Sequence, residues 1–116
     1  MLEDLENADG MTGYDEVKSM TPPSSFDLAK GKELFNANCA TCHGEAGVGD
    51  GPAGKGLDPA PRDLTKPDEF KYGYMKLALY RTGMYGIEGT GMAPWEGIIS
   101  PEEMWNIVAY VETMHK

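Results

Sequence analysis

The sequence predicts an all-α domain in which three main helices are joined by long, glycine-rich loops. Three stretches carry apolar residues at helical spacing, and no stretch of useful length alternates between apolar and polar residues as a half-buried strand would. Between the helical stretches, glycine and proline are too frequent for long helices or for strands inside a sheet.

Residues 1–24 are predicted to form an acidic extension or linker, either loosely ordered or laid over the surface of a compact domain that covers residues 25–116. No helical or strand period is sustained there. The chain has a formal net charge of −9, and residues 1–27 contribute −6 of it through seven acids and one base. This charge argues against a nucleic-acid partner, because phosphate binding requires a basic surface.

Neither a membrane-spanning segment nor a signal peptide is predicted in this sequence. No run of about 18 apolar residues occurs. The first residues contain neither the basic segment nor the apolar segment of a secretory leader.

The first main helix is predicted over Asp27–Asn38, with Ser24 and Asp27 forming a capping box at its start. One face of this helix is lined by Leu28, Gly31, Leu34 and Phe35. Gly31 costs about 1 kcal/mol of helix propensity, which is worthwhile where a second backbone comes close. The alternative is a tolerated glycine on a surface turn.

A loop over residues 44–66 follows, and the second helix is predicted from Tyr72 to Thr82. Gly83 is expected to end that helix in the left-handed conformation, before another loop that extends to residue 99. The last helix has the strongest signals, with Ser100 as the cap, Pro101 at the first position and Glu103 completing a capping box. Its apolar stripe comprises Met104, Ile107, Val108, Val111 and Met114.

Three short helices with long loops bury little apolar surface, so the sequence favours a large apolar cofactor as part of the core. The run Cys39-Ala40-Thr41-Cys42-His43 predicts that this cofactor is haem. Two thiols one helical turn apart can each add to a vinyl group of haem, and the adjacent imidazole can then bind the iron. This spacing is the signature of covalent c-type haem attachment.

Two alternatives for these cysteines fit the sequence less well. A thioredoxin-like dithiol requires a strand–helix–strand context, which the sequence lacks. A structural zinc site requires four ligands, and only His43 and His115 could join the two cysteines.

The sixth position of the iron has several candidate ligands among eight methionines and His115. Met92 is preferred, because it lies in the glycine-rich loop directly before the last helix. Met84, in the same loop, is the second choice, and a site that is open or filled by histidine is the third.

The chain resembles a class I c-type cytochrome of the small bacterial monohaem type from about Ser25 to Met114. Gly31-Lys32-Glu33-Leu34-Phe35 and Asn106-Ile107-Val108-Ala109-Tyr110-Val111 resemble the first and last helices of that family, and Arg81-Thr82-Gly83 followed by Met92 resembles its methionine-loop segment. The resemblance implies the class I fold, with three main helices and long loops wrapped around one covalent haem, and a close crossing of Gly31 with the Tyr110 region. Ala93 departs from the family, in which proline often follows the ligand methionine directly.

Further site residues are implied by the same resemblance. A carbonyl of the segment that contains Pro61, or alternatively Pro59, accepts the proton of the ligand imidazole. Arg81 and Trp95, and less specifically Tyr72 and Tyr74, hydrogen-bond the haem propionates. The alternative for each of these residues is ordinary packing or exposure.

The expected function is therefore electron transfer by iron that cycles between Fe(III) and Fe(II) with histidine and methionine ligands. The protein is expected to be a periplasmic or otherwise extracytoplasmic carrier rather than an enzyme, and to meet redox partner proteins briefly at an exposed haem edge. The acidic extension is expected to be a remote linker. Two alternatives remain: an electron-entry subunit or domain of a larger oxidoreductase, and a haem sensor or peroxidase-like protein with an open sixth site.

Overall fold

The computed structural model describes residues 13–57, 61, 63–66, 76–87 and 94–115. These residues form five α-helices and one 3₁₀ turn over Pro52–Gly54. The helices are α1 over Tyr14–Val17, α2 over Leu28–Asn38, α3 over Ala40–His43, α4 over Lys76–Tyr85 and α5 over Pro101–Glu112. Within this part of the chain the only β-type pairing is an isolated bridge between Glu96 and Ile99. The all-α prediction is confirmed.

Helix α2 begins where a side chain can satisfy its first free amides. Asp27 has an extended backbone and its carboxylate accepts a hydrogen bond from the backbone N–H of Lys30 at 3.0 Å. The predicted capping box that begins at Ser24 is therefore wrong, since Asp27 is itself the cap. The predicted end at Asn38 is confirmed.

Helices α2 and α5 cross at Gly31, as predicted. A Cβ atom on Gly31 would overlap the carbonyl oxygen of Asn106 and would lie 3.1 Å from the Cβ of Tyr110. The rings of Phe35 and Tyr110 lie 5.5 Å apart at the same crossing. Only a residue without a side chain allows the two backbones to come this close.

Helix α4 extends three residues beyond its predicted end at Thr82. Gly83 lies inside the helix, so the prediction that it ends the helix in the left-handed conformation is wrong. Gly86 takes that conformation instead, with φ of 74°, and its N–H donates to the carbonyl of Thr82 at 2.9 Å. Gly83 packs against the flexible end of the Met104 side chain. The predicted start at Tyr72 lies outside the described residues.

Helix α5 has the predicted cap. The Ser100 hydroxyl accepts from the N–H of Glu103 at 3.1 Å, and the Glu103 carboxylate accepts from the N–H of Ser100 at 3.0 Å. Its buried face joins a single core together with α2, α4 and α1. No helix among the described residues is long and apolar enough to cross a membrane.

Part of the predicted extension belongs to the packed structure. Val17 in α1 is fully buried, and Tyr14 and Met20 pack against the same core. Tyr14, Val17 and Met20 therefore lie on the packed domain, as in the second of the two predicted arrangements. Residues 1–12 lie outside the described residues, and the division at residue 25 stays a prediction.

Candidate functional site

The Cys-x-x-Cys-His segment directly follows α2, and Cys39 is both the last cap of α2 and the first cap of α3. Cys39 ends α2, where its N–H donates to the carbonyl of Phe35 at 2.8 Å. Its own carbonyl accepts from the N–H groups of Cys42 and His43 at 3.2 and 3.0 Å. The five residues thus form one helical turn, on which side chains three positions apart are neighbours.

A glycine-rich loop folds back over this turn. The carbonyls of Cys42 and His43 accept from the N–H groups of Gly51 and Gly49 at 3.0 and 2.8 Å. A Cβ atom on Gly51 would overlap the carbonyl oxygens of Ala40 and Thr41, and one on Gly54 would lie 2.8 Å from the carbonyl oxygen of Cys42. The loop therefore holds the attachment turn through its backbone. The sequence alone does not single out Gly51 and Gly54, because the abundance of glycines in the loop is their only signal.

Pro61 lies at the edge of this arrangement. Its Cγ is 2.6 Å from the position that a Cβ on Gly54 would occupy, so Pro61 stands against the same glycine that contacts Cys42. The structure thereby brings Pro61 close to the attachment turn. Pro59, the alternative, lies outside the described residues.

The two thiols are free and half-buried. Burial, with a smaller contribution from Cys42, raises the pKa of the Cys39 thiol to about 12. A thiol of this kind stays protonated, unlike the low-pKa thiol of a redox-active dithiol. Among the described residues, no cluster of three or more histidine, cysteine or acidic side chains could hold a metal ion.

The donor set and its surroundings fit a covalently attached haem. Two free thiols and one imidazole lie on a single helical turn, as thioether attachment and iron binding by one group require. Helix α3 packs against α2 and the 3₁₀ turn, whereas α4 packs against α5 and α1. Within the described residues α3 and α4 are not in contact.

The other predicted site residues lie on or beside α4. Arg81 is 1% exposed, and its guanidinium donates to the carbonyl of Gly86 at 3.0 Å. Trp95 is partly buried against the core, and its backbone N–H donates to the carbonyl of Gly83 at 3.2 Å. Met84 is 5% exposed and belongs to the core. Met92 lies outside the described residues, as do Tyr72 and Tyr74.

Comparisons with known proteins agree on one family. The family model described as Cytochrome c matches residues 28–115. Cytochrome c6 of Anabaena variabilis is 36% identical over 87 residues, which are 73% of this chain and 88% of that protein. The cbb3-type cytochrome c oxidase subunit FixP of Azorhizobium caulinodans is 34% identical over 113 residues, which are 95% of this chain but 36% of that subunit.

A solved structure gives the same result. The cytochrome c6 of the diatom Phaeodactylum tricornutum superimposes with a TM-score of 0.55 at 27% identity, over 75% of this chain and 92% of that one. The chain therefore spans about a third of the length of FixP, but most of the length of the cytochrome c6 proteins.

Proposed function

The chain belongs to the cytochrome c family, as a class I c-type cytochrome that transfers electrons, and we propose that it carries a single haem with histidine and methionine ligands. The observation that supports one haem is the single attachment motif. The chain has two cysteines in all, and both belong to that motif. Haem c supplies a one-electron couple at iron, and the protein determines which ligands and surroundings that iron has.

In this proposal Cys39 and Cys42 would hold the haem through two thioethers and His43 would bind its iron. The loop of residues 44–54 fixes the turn, because its amides bind the carbonyls of Cys42 and His43. Pro61 is proposed to supply the carbonyl that orients the imidazole, supported by its position against Gly54. Such an acceptor holds the ring and increases its basicity toward the metal.

Met92 is proposed as the second axial ligand. Met84, the competing candidate, is held in the core by α4, and its carbonyl accepts from the N–H of Glu96 at 2.9 Å. Core packing therefore accounts for the Met84 side chain, and Met92 is the preferred ligand. Arg81 and Trp95, which lie beside the same end of α4, are proposed as partners of the propionates.

Held by His43 and Met92, a haem iron would have no free position for a substrate and would supply one-electron chemistry only. A methionine ligand raises the reduction potential above that of a site with two histidines. We therefore propose a non-enzymatic carrier in the periplasm or another extracytoplasmic compartment, which meets its redox partner proteins transiently. A second candidate, an electron-entry domain of a larger oxidoreductase, is favoured by the match to a third of FixP.

The ligand assignment is tested with two volume-conserving variants, Met92→Leu and Met84→Leu. Met92→Leu is expected to abolish the sulfur-to-iron charge-transfer band, to lower the potential and to allow carbon monoxide to bind the reduced protein. Met84→Leu is expected to change none of these and to cost under about 1.5 kcal/mol of stability. The reverse pattern would assign the ligand to Met84, and carbon monoxide binding to the unmodified protein would indicate an open site.

Covalent attachment is tested separately by the mass of the denatured protein. One haem per chain should remain bound under acidic organic solvent. Loss of free haem, with two titratable thiols left on the chain, would contradict the proposal.

A further inference from the structure

A groove of about 600 Å³ lies between the chain that leads into α2 and the first two turns of α5. Sites that bind ligands in proteins commonly have volumes of about 300–1,000 Å³, so this groove can accept several side chains. The family model begins at residue 28, so part of the groove is built from residues that the model does not cover. Its lining includes Pro23, Phe26 and Asp27 from the first stretch and Glu102, Trp105 and Asn106 from the second.

The groove is preformed, because its two sides are tied together and its apolar wall is held in place. The N–H of Asp27 donates to the side chain of Asn106 at 2.9 Å, which joins the two sides. Trp105 is 8% exposed, and its ring stacks on that of Tyr80 with the centroids 4.2 Å apart. Phe26 is partly buried and packs against the core. A ligand would therefore meet a fixed apolar surface and would lose little free energy in ordering it.

The exposed charge of the groove is negative. Asp27 and Glu102 are both exposed, and neither forms an ion pair with another residue that the structure describes. Two lysines lie nearby, one against the ring of Phe26 and one in the first turn of α2, but each is already paired with a carboxylate of its own. The negative charge of the groove therefore stays uncompensated. The two pairs are Lys76 with Glu112, at 2.8 Å, and Lys30 with Glu33, at 3.2 Å.

Charge decides between three possible occupants of the groove. The first twelve residues of the chain carry four acids and no lysine or arginine, so the two carboxylates would repel them. A second copy of the chain has a net charge of −9 and would be repelled as well. A basic partner is attracted instead. The apolar stems of lysine and arginine can lie along the aromatic wall while their charged ends reach the carboxylates.

The groove is distant from the attachment turn. Asp27 caps the start of α2 and Cys39 caps its end. The 11 residues of that helix span about 16 Å at 1.5 Å per residue. This length is about twice the screening length of about 8 Å at physiological salt, so a charge at one end has little effect at the other. A segment bound in the groove therefore need not cover the attachment turn.

We propose that this groove is a docking site for an arginine- or lysine-bearing segment of a partner protein. The stems of the basic side chains pack against Phe26 and Trp105, and their cationic groups pair with the carboxylates of Asp27 and Glu102. The site holds the partner independently of any contact near the attachment turn. It goes beyond the proposed electron transfer and depends on no ligand of the iron, so an error in the ligand assignment would leave it unaffected.

The test is a nuclear magnetic resonance titration of the full, haem-loaded chain with a blocked six-residue peptide in which arginine alternates with leucine. The control peptide has glutamate in place of arginine. The arginine peptide is expected to shift the backbone amide resonances of Asp27, Glu102 and Asn106. The amides of Cys42 and Gly49, at the attachment turn, are expected to stay unshifted. The glutamate peptide is expected to shift none of them.

Two variants remove the charges of the groove at exposed positions. Glu102→Gln is expected to weaken binding of the arginine peptide about two- to fivefold, as for other exposed ion pairs. Adding Asp27→Asn, which keeps a good cap for α2, is expected to bring the loss to about tenfold. The matched control is Glu45→Gln, which removes the same charge from an exposed position beside the attachment turn. It is expected to change the affinity by less than about twofold.

Several results would overturn the inference. Shifts centred on Cys42 and Gly49 would place docking at the attachment turn, and equal losses in Glu45→Gln and Glu102→Gln would mean that binding follows net charge alone. Equal binding of the glutamate peptide would show that basic side chains are not what the groove recognises. Groove shifts that grow with the concentration of the chain alone would identify a second copy as the occupant. Absence of binding at millimolar arginine peptide would likewise reject the site.

Discussion

The crossing of α2 and α5 gives a prediction whose magnitude follows from the structure. In Gly31→Ala, the new Cβ would lie 2.8 Å from the carbonyl carbon of Asn106 and closer still to its oxygen. Carbon atoms in contact are about 3.5–4.0 Å apart, so the helices would have to separate by about 1 Å. The obstructing atoms at Asn106 belong to the backbone, so no change of rotamer can relieve the overlap.

The cost of this separation is expected at the upper end for overpacked cores, about 3 kcal/mol. Alanine recovers about 1 kcal/mol of helix propensity, so the net loss should be about 2 kcal/mol. Part of that loss comes from weakening the hydrogen bond that the N–H of Asp27 donates to the side chain of Asn106, which is 2.9 Å long. For a domain of this size, the midpoint of thermal unfolding should fall by about 8 °C.

Urea unfolding followed by far-ultraviolet circular dichroism measures this free energy. The matched control is the reverse exchange, Ala37→Gly, at an exposed position of the same helix, which should lose at most about 1 kcal/mol through helix propensity alone. If Gly31→Ala instead gained as much stability as the control loses, with an unchanged haem spectrum, the close crossing would be refuted.

Three further predictions concern the remaining helices. Gly83→Ala should change the free energy of unfolding by less than about 1 kcal/mol. The atoms that the new Cβ would overlap, 2.5 and 2.9 Å away, belong to the flexible end of Met104. A loss as large as that of Gly31→Ala would contradict this reasoning. The bond from the backbone N–H of Ser100 lowers the pKa of Glu103 below its ordinary 4.5. The ionised Glu103 carboxylate therefore stabilises the fold above about pH 4.5, and this contribution is lost as the pH falls further. Glu103→Gln should make the free energy of unfolding decline less steeply at acidic pH. Burial lowers the pKa of His115 below 6.5 despite the opposing charge of Glu112. The unfolded chain then binds a proton first as the pH falls, so stability should decline below about pH 6.5, and His115→Gln should abolish that decline in a series of urea titrations.

The features that the sequence predicts well are those set by neighbouring residues. The cap and apolar stripe of α5 depend on Ser100, Glu103 and residues within three turns of them. The attachment motif is likewise complete within Cys39–His43. The crossing at Gly31 is a long-range contact, and it can be predicted only because both helices resemble those of a known family.

The features that escape sequence analysis depend on contacts between distant residues. Gly83 and Gly86 can each end a helix, and of the two it is Gly86 that takes the left-handed conformation. Ser24 and Asp27 are both suitable caps, and no local rule selects the second. Val17 lies in an acidic stretch with no sustained period, so the sequence does not single it out as buried. The assignments of Met92, Arg81 and Trp95 stay predictions.

The pairing of α2 with α5 also has a consequence for the order of folding. The bond between Asp27 and Asn106 joins residues 79 positions apart, and closing a loop of that length costs about 4 kcal/mol of chain entropy. Because synthesis proceeds from the N-terminus, α2 exists long before its partner does. A nascent chain that stops short of Asn106 has no surface on which Gly31 can pack. Packing of α2 at this crossing therefore requires α5, and a chain truncated before Asn106 should show α2 only as a transient helix.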